Sequence, residues 1–496
     1  MENKTNTEIA AEAEALFAEI QARNFQLSPA DRMKLPSQPM PSQAPDVRCH
    51  NIQEVALGYT WQQARVEASR CLQCPTQPCV AGCPVRLPIR DFVAATAKGD
   101  FRRAIGLIRE QSLFPAVCGR VCPQEKQCQK GCTLGKALRN PEKAVAIGRI
   151  ERFLADWARE SGVVEMPVPA PDTGKKVAVI GSGPAGLSVA ADCRKAGHHV
   201  TVFDAFHKFG GVMQYGIPEF RLPKAIVQAE VQALQTMGVE FVPNFLVGRT
   251  RTLADLLDKD GFDAAFLGIG AGLPNFMGIE GENLVGVLSA NEFLTRANLM
   301  RAFERERAVT PIISAKRVAV LGGGNVAMDA ARTALRLGAE TVHLIYRRTE
   351  KEMPARAEEV MHAREEGVQF HLLRNAKRLL GDEQGAVRAV ECLCYELGEP
   401  DASGRRSPVP IPGSEYTLDV DAVIVAIGNS SNPLIRQTTQ GLSFNQKGNL
   451  VCDENGQTSL PRVFAGGDIV LGAATVILAM GQGRQAAAAI NRMLQG

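Results

Sequence analysis

Val177-Ala178-Val179-Ile180-Gly181-Ser182-Gly183-Pro184-Ala185-Gly186 decides the fold. The apolar run reads as a buried strand and the glycines as a turn. Leu187, Val189, Ala190, Ala191 and Ala196 then read as the apolar side of a helix that Gly197 ends. A second strand, His199-Val200-Thr201-Val202-Phe203, stops at Asp204. A G-x-G-x-x-G motif carries meaning only in this strand–turn–helix–strand setting. Gly181 permits the tight turn, Gly183 lets backbone approach a pyrophosphate, and Gly186 lets helix and strand pack closely. The helix N-terminus offers N–H groups and partial positive charge to phosphates. Asp204, 23 residues beyond Gly181, is placed to accept hydrogen bonds from a ribose. A glycine turn without a ligand is the alternative, and the completeness of the unit argues against it.

The same grammar returns 141 residues later. Arg317-Val318-Ala319-Val320-Leu321 is a strand, and Gly322-Gly323-Gly324-Asn325-Val326-Ala327 is the turn, with Ala327 where a third glycine often sits. A helix to Leu337 ends at Gly338, and the strand Thr341-Val342-His343-Leu344-Ile345-Tyr346 follows. Its end carries Arg347-Arg348 instead of an acid. An acid there suits a free ribose hydroxyl, whereas arginine suits a 2′-phosphate. This unit is therefore expected to bind NADP(H) through Gly322, Gly324, Asn325, Val326, Arg347 and Arg348, a surface basic pair being the alternative.

Further glycines point to a flavin on the first unit. Gly210-Gly211 and Gly216 would let backbone pass close to a flat ring system. The strands at 263–270 and 423–428 end in Gly270 and Gly428. Val463-Phe464-Ala465-Gly466-Gly467-Asp468 places an acid at a strand end beside glycines, suited to a ribityl chain. A helix starting at Ala474 or Thr475 would aim N–H groups at the ring edge where reduced flavin gathers negative charge. The economical architecture is α/β: one FAD-binding domain in two segments (172–312 and 426–496), with an NADP(H)-binding Rossmann-like domain (313–425) inserted. A Pro-rich linker at 167–171 separates these from a helical domain, residues 1–165. In that domain, helices are expected at 8–21, 61–70, 89–108 (two short ones) and 144–159. The turn Gly404-Arg405-Arg406 reads as a hairpin loop among strands spanning 368–425.

Nine of the 13 cysteines fall between Cys49 and Cys132. The pattern is Cys71-x2-Cys74-x4-Cys79-x3-Cys83-Pro84, then Cys118-x3-Cys122-Pro123, Cys128-x3-Cys132. Eight of these could serve two cubane iron–sulfur clusters. In compact ferredoxin patterns the cysteine before proline ligates the other cluster, so Cys71, Cys74 and Cys79 would hold one cluster and Cys83 would cross to the second. Zinc is the main competitor and structural thiols the third reading; zinc sites more often show two C-x2-C pairs. Ala81, Gly82, Gly119 and Gly131 would let N–H groups point at cluster sulfurs.

The remaining bounds exclude several classes. A net charge of +3 from 56 basic and 53 acidic residues gives no field for nucleic acid. No secretory signal is visible, and no run reaches 18 apolar residues, so neither export nor a membrane span is expected. Close cysteine spacing without a signal points to a reducing, cytoplasmic compartment. Hydride transfer between a nicotinamide and a flavin needs no acid–base triad, so no catalytic side chain is assigned.

These residues together resemble one family, the small (beta) subunit of NADPH-dependent glutamate synthase. The likeness rests on Pro39-Met40-Pro41, Arg48-Cys49-His50-Asn51, Glu54-Val55-Ala56-Leu57-Gly58-Tyr59, the cysteine block, Tyr215-Gly216-Ile217-Pro218-Glu219-Phe220-Arg221-Leu222-Pro223-Lys224, Gly322 to Asp329, Tyr346-Arg347-Arg348 and Ala465 to Asp468. Within it the chain looks more like the large subunit of NADH-dependent ferredoxin:NADP oxidoreductase, an electron-bifurcating transhydrogenase. The N-terminal part of dihydropyrimidine dehydrogenase is a more distant relative. The resemblance implies FAD, NADP(H) and two [4Fe–4S] clusters. One cluster would be held by Cys71, Cys74, Cys79 and Cys132, the other by Cys83, Cys122, Cys128 and Glu151, with Cys118 left free. It implies a partner that is either a small FAD/[2Fe–2S] flavoprotein or the glutamate synthase large subunit, with ferredoxin as a further acceptor. An electron-transfer scaffold with a degenerate nucleotide site is the competing class, and intact Gly322, Gly324 and Arg347 argue against it.

Overall fold

The computed structural model describes residues 4–163, 166–400 and 406–495. The N-terminal part is helical. Thr5–Glu8, Ser28–Asp31 and Thr60–Gln63 form reciprocal capping boxes that start the helices Asn6–Ala22, Pro29–Lys34 and Trp61–Ser69. The expected pair at 89–108 is present as Ile89–Lys98 and Phe101–Gln111, divided at Gly99, whose left-handed φ of 85° closes the first helix. Helix Ile147–Glu160 buries Ile150, Phe153 and Leu154. The Pro-rich stretch before Trp61 is tied down: Gln43 and Val55 share a backbone hydrogen bond, and Tyr59 donates its hydroxyl to the Gln38 carbonyl.

Two parallel five-stranded sheets follow. The first has strand order Val463–Ala465, Ala264–Leu267, Lys176–Ile180, His199–Phe203, Glu240–Val242. Its edge strand is the last strand of the chain, and helix Val476–Gln495 then packs on helix Pro184–Lys195. The second has order Val287–Ser289, Ala422–Val425, Arg317–Leu321, Thr341–Tyr346, Gln369–Leu372. An antiparallel sheet of Arg374–Gly381, Val387–Pro400, Arg406–Pro410 and Tyr416–Asp419 covers its other face. The chain passes between the units through an antiparallel pair, Leu273–Pro274 with Asn429–Ser430. The insertion expected from the sequence is thus realised. Its leading edge differs: Val287–Ser289 and helix Ala290–Asn298 belong to the second sheet and its core, although the boundary at 312 would place them in the first unit. Gly404 and Arg405 of the expected hairpin lie outside the described residues, and Arg406 opens a strand.

The three parts are joined in different ways. One continuous apolar core runs from the helical domain (Ile89, Phe92, Ile150) into the first sheet and its helices (Val177, Leu187, Phe464, Ile490). The second unit keeps a core of its own (Phe293, Val320, Met328, Leu344, Ile424).

Candidate functional site

The two glycine turns superimpose in logic. Gly181 donates its N–H to the Phe203 carbonyl, and Gly322 donates to the Ile345 carbonyl. Both have positive φ, 98° and 146°, and both press on a carbonyl of the next strand's end. A Cβ would stand 2.5 Å from Gly268 O in one case and 2.3 Å from Ala426 O in the other. Gly183 and Gly324 are the N-caps of helices Pro184–Lys195 and Asn325–Arg336, with extended backbone and open space in front of them. Gly186 has no such freedom, since a Cβ would meet Gly181 O at 1.9 Å. Gly211 brings the following loop onto this turn, its missing Cβ only 2.7 Å from Gly183 Cα.

The strand ends diverge. Asp204 is buried, and Ser182 donates both N–H (2.8 Å) and Oγ–H to its Oδ2, while the Phe206 N–H donates to Oδ1 at 2.9 Å. Its carboxylate therefore already holds the turn and the next loop, and Ser182, which the sequence motif passes over as an x, is part of the site. In the second unit the residue in register with Asp204 is Tyr346, whose ring fills the space a side chain at Gly323 would take, 2.6 Å from its ideal Cβ. The two arginines beyond it separate. Arg347 is exposed, whereas Arg348 is buried and donates Nε–H to the Arg406 carbonyl at 2.9 Å. Val326 stays 44% exposed in the first helical turn, an apolar surface facing outward, while Asn325 Oδ1 accepts from the Arg356 N–H.

Around the first turn, Gly210 donates to Ser182 Oγ, and Gly270 and Gly428 flank the crossing strands with positive φ. Gly216 lies against Val212. Gly467 precedes Asp468, whose carboxyl burial pushes up to about 6 against the opposing Ala474 N–H, which donates to Oδ1 at 3.2 Å. Thr475 Oγ1 accepts from Leu478 N–H at the start of the closing helix.

The cysteine block divides in two. Cys71, Cys74, Cys79 and Cys132 line one cavity, with Ile89, Val93 and Leu134 among its apolar walls. Burial pushes the Cys71 thiol up to about 11, the Gln73 N–H opposing it and the neighbouring Cys132, Cys79 and Cys74 adding to it. In the other group Cys83, Cys122 and Glu151 are buried and Cys128 half-buried. Burial pushes the Glu151 carboxyl up to about 8, and its Oε1 has no hydrogen-bond partner. An orphaned carboxylate oxygen next to thiols is costly unless something electropositive meets it, so this donor set fits a cluster. Cys118 stands in the same neighbourhood, its Sγ 3.5 Å from Met480 Sδ. Among the described residues no three His, Cys, Asp or Glu side chains form a group for a single metal ion.

The glycines near these thiols do not do what the sequence suggested. Gly82 and Gly131 donate their N–H groups to the Pro78 and Gln127 carbonyls, and Ala81 donates to Gln77. Gly82 and Gly131 let the two cysteine loops touch: their ideal Cβ atoms fall 2.9 Å from Gln127 O and 2.6 Å from Pro78 O. Gly119 packs against the backbone of Arg152 in the same way. The backbone N–H groups that oppose the upward shift of the thiols are those of Gln73 at Cys71, Val80 and Cys79 at Cys79, Val85 and Leu87 at Cys83, and Gln129 at Cys128. Gln73 reaches this position with a left-handed φ of 53°, a conformation that no simple spacing rule announces.

Comparison with known proteins matches both parts. Residues 48–163 match the family described as dihydropyrimidine dehydrogenase domain II, 4Fe-4S cluster, and residues 175–490 match pyridine nucleotide-disulphide oxidoreductase. The first match sets the zinc reading aside. The chain is 37% identical over 477 residues to the glutamate synthase [NADPH] small chain of Escherichia coli K12, covering 95% of this chain and 99% of that one. It is 39% identical over 446 residues to the NADP(+)-dependent formate dehydrogenase subunit beta of Moorella thermoacetica, covering 85% of this chain and 60% of that longer protein. The fold is similar to that of Mycobacterium tuberculosis FprA in complex with NADPH, with a TM-score of 0.55 at 20% identity over 66% of this chain and 85% of FprA. Among the described residues no helix is long and apolar enough to cross a membrane.

Proposed function

This chain belongs to the glutamate synthase small-subunit family of NADPH-dependent flavin and iron–sulfur oxidoreductases, and from that premise we propose a route for its electrons. Hydride is exchanged with NADP(H) at FAD on the first unit, and single electrons then pass through two [4Fe–4S] clusters to a second redox subunit. A flavin supplies the needed conversion, since it accepts two electrons together and releases them singly. The observation that carries the reading is the division of the cysteine block into one group around a cavity and another around the orphaned Glu151 carboxylate.

The chain's own residues do the positioning. Gly183 and the N-terminus of Pro184–Lys195 take the FAD pyrophosphate, while Asp204 and Ser182 hold the turn in shape. Gly210, Gly211, Gly216, Gly270, Gly428, Gly467, Asp468, Ala474 and Thr475 border the rest of the flavin. Gly324 and helix Asn325–Arg336 take the NADP(H) pyrophosphate, with Asn325 and Val326 in its first turn. The exposed Arg347 reads the 2′-phosphate, while Arg348 supports it from the Arg406 side. Cys71, Cys74, Cys79 and Cys132 hold one cluster; Cys83, Cys122, Cys128 and Glu151 hold the other. The N–H groups from Gln73, Val80, Val85, Leu87 and Gln129 favour added negative charge on the sulfurs. Redox titration of Glu151→Cys beside the parent tests the ligand set: a carboxylate ligand requires a shifted cluster potential, and identical potentials and spectra would remove Glu151 from it.

Two partners answer this description. The transhydrogenase reading rests on the stretch from Pro39 to Tyr59, and its partner is a small FAD/[2Fe–2S] flavoprotein. Much of that stretch has work inside the chain, binding Phe220 and Gln38. The end-to-end likeness to the E. coli small chain supports the other reading, in which a glutamate synthase large subunit receives the electrons. Anaerobic isolation of the native complex, with iron and flavin counted and the partner identified by mass, separates them. A small FAD/[2Fe–2S] protein, with electrons reaching ferredoxin, supports the first; a large FMN subunit with glutaminase activity supports the second.

A further inference from the structure

Several of the motifs that carry the family likeness touch neither turn nor cluster: Arg48, Val55, Phe220-Arg221, Lys224 and Asp329. The structure gathers them into one buried junction. Arg221 donates Nη1–H to both oxygens of Asp329, each at 2.7 Å, and its Nε lies 3.0 Å from Glu359 Oε1. Arg332 pairs with Glu359 and, at 3.0 and 2.7 Å, with both oxygens of Glu366. Arg336 donates to Glu366 at 2.7 Å, and Arg48 from the helical domain reaches Glu366 at 2.9 Å and Glu365 at 2.5 Å. The Phe220 ring lies under two guanidinium groups, 4.7 Å from Arg332 and 3.9 Å from Arg336. Its carbonyl accepts from the Val55 N–H at 2.9 Å. Four arginines meet four carboxylates here, and the side chains of Arg221, Asp329, Glu359, Arg332 and Glu366 are all at most 7% exposed.

The segment that holds Arg221 is itself braced. Lys224 Nζ donates to the carbonyls of Met213 (3.0 Å), Leu222 (2.9 Å) and Ile217, and Asn298 of the second unit donates to the Tyr215 carbonyl at 3.2 Å. Residues 213–224 follow directly from Gly210-Gly211, which close on the first nucleotide turn. Asp329 lies five residues along the helix that Gly324 starts, at the second nucleotide turn. The Arg221–Asp329 pair therefore ties the backbone that borders one cofactor to the helix that holds the other.

The energetics suit alignment better than adhesion. The helical domain and the first unit share an apolar core, while the second unit has its own, and domains without a large apolar interface move relative to each other. Buried ion pairs add little net stability over apolar packing, but their fixed geometry admits one arrangement and penalises neighbours. We propose that Arg221 and Asp329 are positioning residues that hold the second nucleotide unit in the alignment hydride transfer requires. The hydride carries both electrons and its hydrogen from reduced nicotinamide to oxidised flavin, so the pair donates no proton; its contribution is distance and angle. The proposal rests on the assignment of FAD to the first unit and NADP(H) to the second.

Anaerobic stopped-flow reduction of the flavin by NADPH in the purified holoprotein tests it, with Arg221→Lys, which keeps the charge and loses the two-pronged contact, and Phe220→Leu, which removes the ring clamp. The expected result is a limiting flavin-reduction rate lower on the order of 10²-fold for Arg221→Lys, the cost of a misplacement near 1 Å. NADPH affinity, flavin content and the cluster EPR signals after dithionite reduction should stay at parent values, and Phe220→Leu should slow the same step less. A flavin-loaded Arg221→Lys protein that melts earlier yet is reduced as fast as the parent would overturn the proposal and leave a purely structural junction. A parent whose flavin NADPH does not reduce would instead overturn the cofactor assignment on which it rests.

Discussion

The two nucleotide turns share a plan, and three of the positions at which they differ in register set the contrast between them. Where the first has Gly186, the second has Ala327; where the first has Ser182, the second has Gly323; where the first has Asp204, the second has Tyr346. In the first unit a polar side chain in the turn is tied to an acid at the strand end. In the second, an aromatic ring fills that space, and the charge just beyond the strand end, Arg347, stands exposed. One turn is built by hydrogen bonds into a closed cradle, the other by packing into a shelf with a charged rim. Under the proposed function, the same backbone turn would take a pyrophosphate in both units and leave the ribose end to be specified separately.

The sharpest way to break the comparison is to exchange the third glycine. Gly186→Ala places a methyl group 1.9 Å from a backbone oxygen that cannot swing away. We expect a loss at or beyond the upper end of the about 1–3 kcal/mol typical of overpacking, and protein isolated with little FAD. Flavin-to-iron ratio and thermal unfolding measure both. Arg347→Ala comes next: loss of a charge-assisted contact of about 1.5–3 kcal/mol corresponds to roughly 10–100-fold weaker NADPH binding. NADH binding and FAD content should not change, and equal weakening for NADPH and NADH would refute a phosphate-reading role. Ser182→Ala should weaken FAD retention by about 1 kcal/mol, one or two net hydrogen bonds, as read by flavin release in denaturant. The smallest effect on cofactor binding is expected for Ala327→Gly, which costs about 1 kcal/mol of helix stability and leaves NADPH kinetics preserved. A large kinetic defect there would mean that the second helix depends on its methyl group more than the comparison allows.

Much of this was legible in the residues. Strand, glycine turn and helix follow each other without interruption at Val177 and Arg317, so period and punctuation agree. The boundary near 312 misled because Val287–Ser289 has only three residues, too few for a pattern, and pairs with a strand at Ala422. The glycines beside the cysteines read as freeing N–H groups for sulfur and instead let the cysteine loops touch, because a glycine's spacing does not say which N–H will face sulfur. The ionic junction was hidden for a different reason. Glu359, Glu365 and Glu366 sit in a charged stretch whose partners lie far off in the chain, and only the fold brings Arg48 and Arg221 to them.

The order in which the chain is made gives the last edge of the first sheet a further meaning. Val463–Ala465 closes that sheet and Val476–Gln495 seals it against Pro184–Lys195, so the first unit stays open until those residues leave the ribosome. The second unit, which keeps a core of its own, has all its residues in hand earlier, and at synthesis rates of about 5–20 residues per second it has time to fold first. Assembly is thereby timed: the core shared by the helical domain and the first sheet is the last to be completed, after the second nucleotide unit.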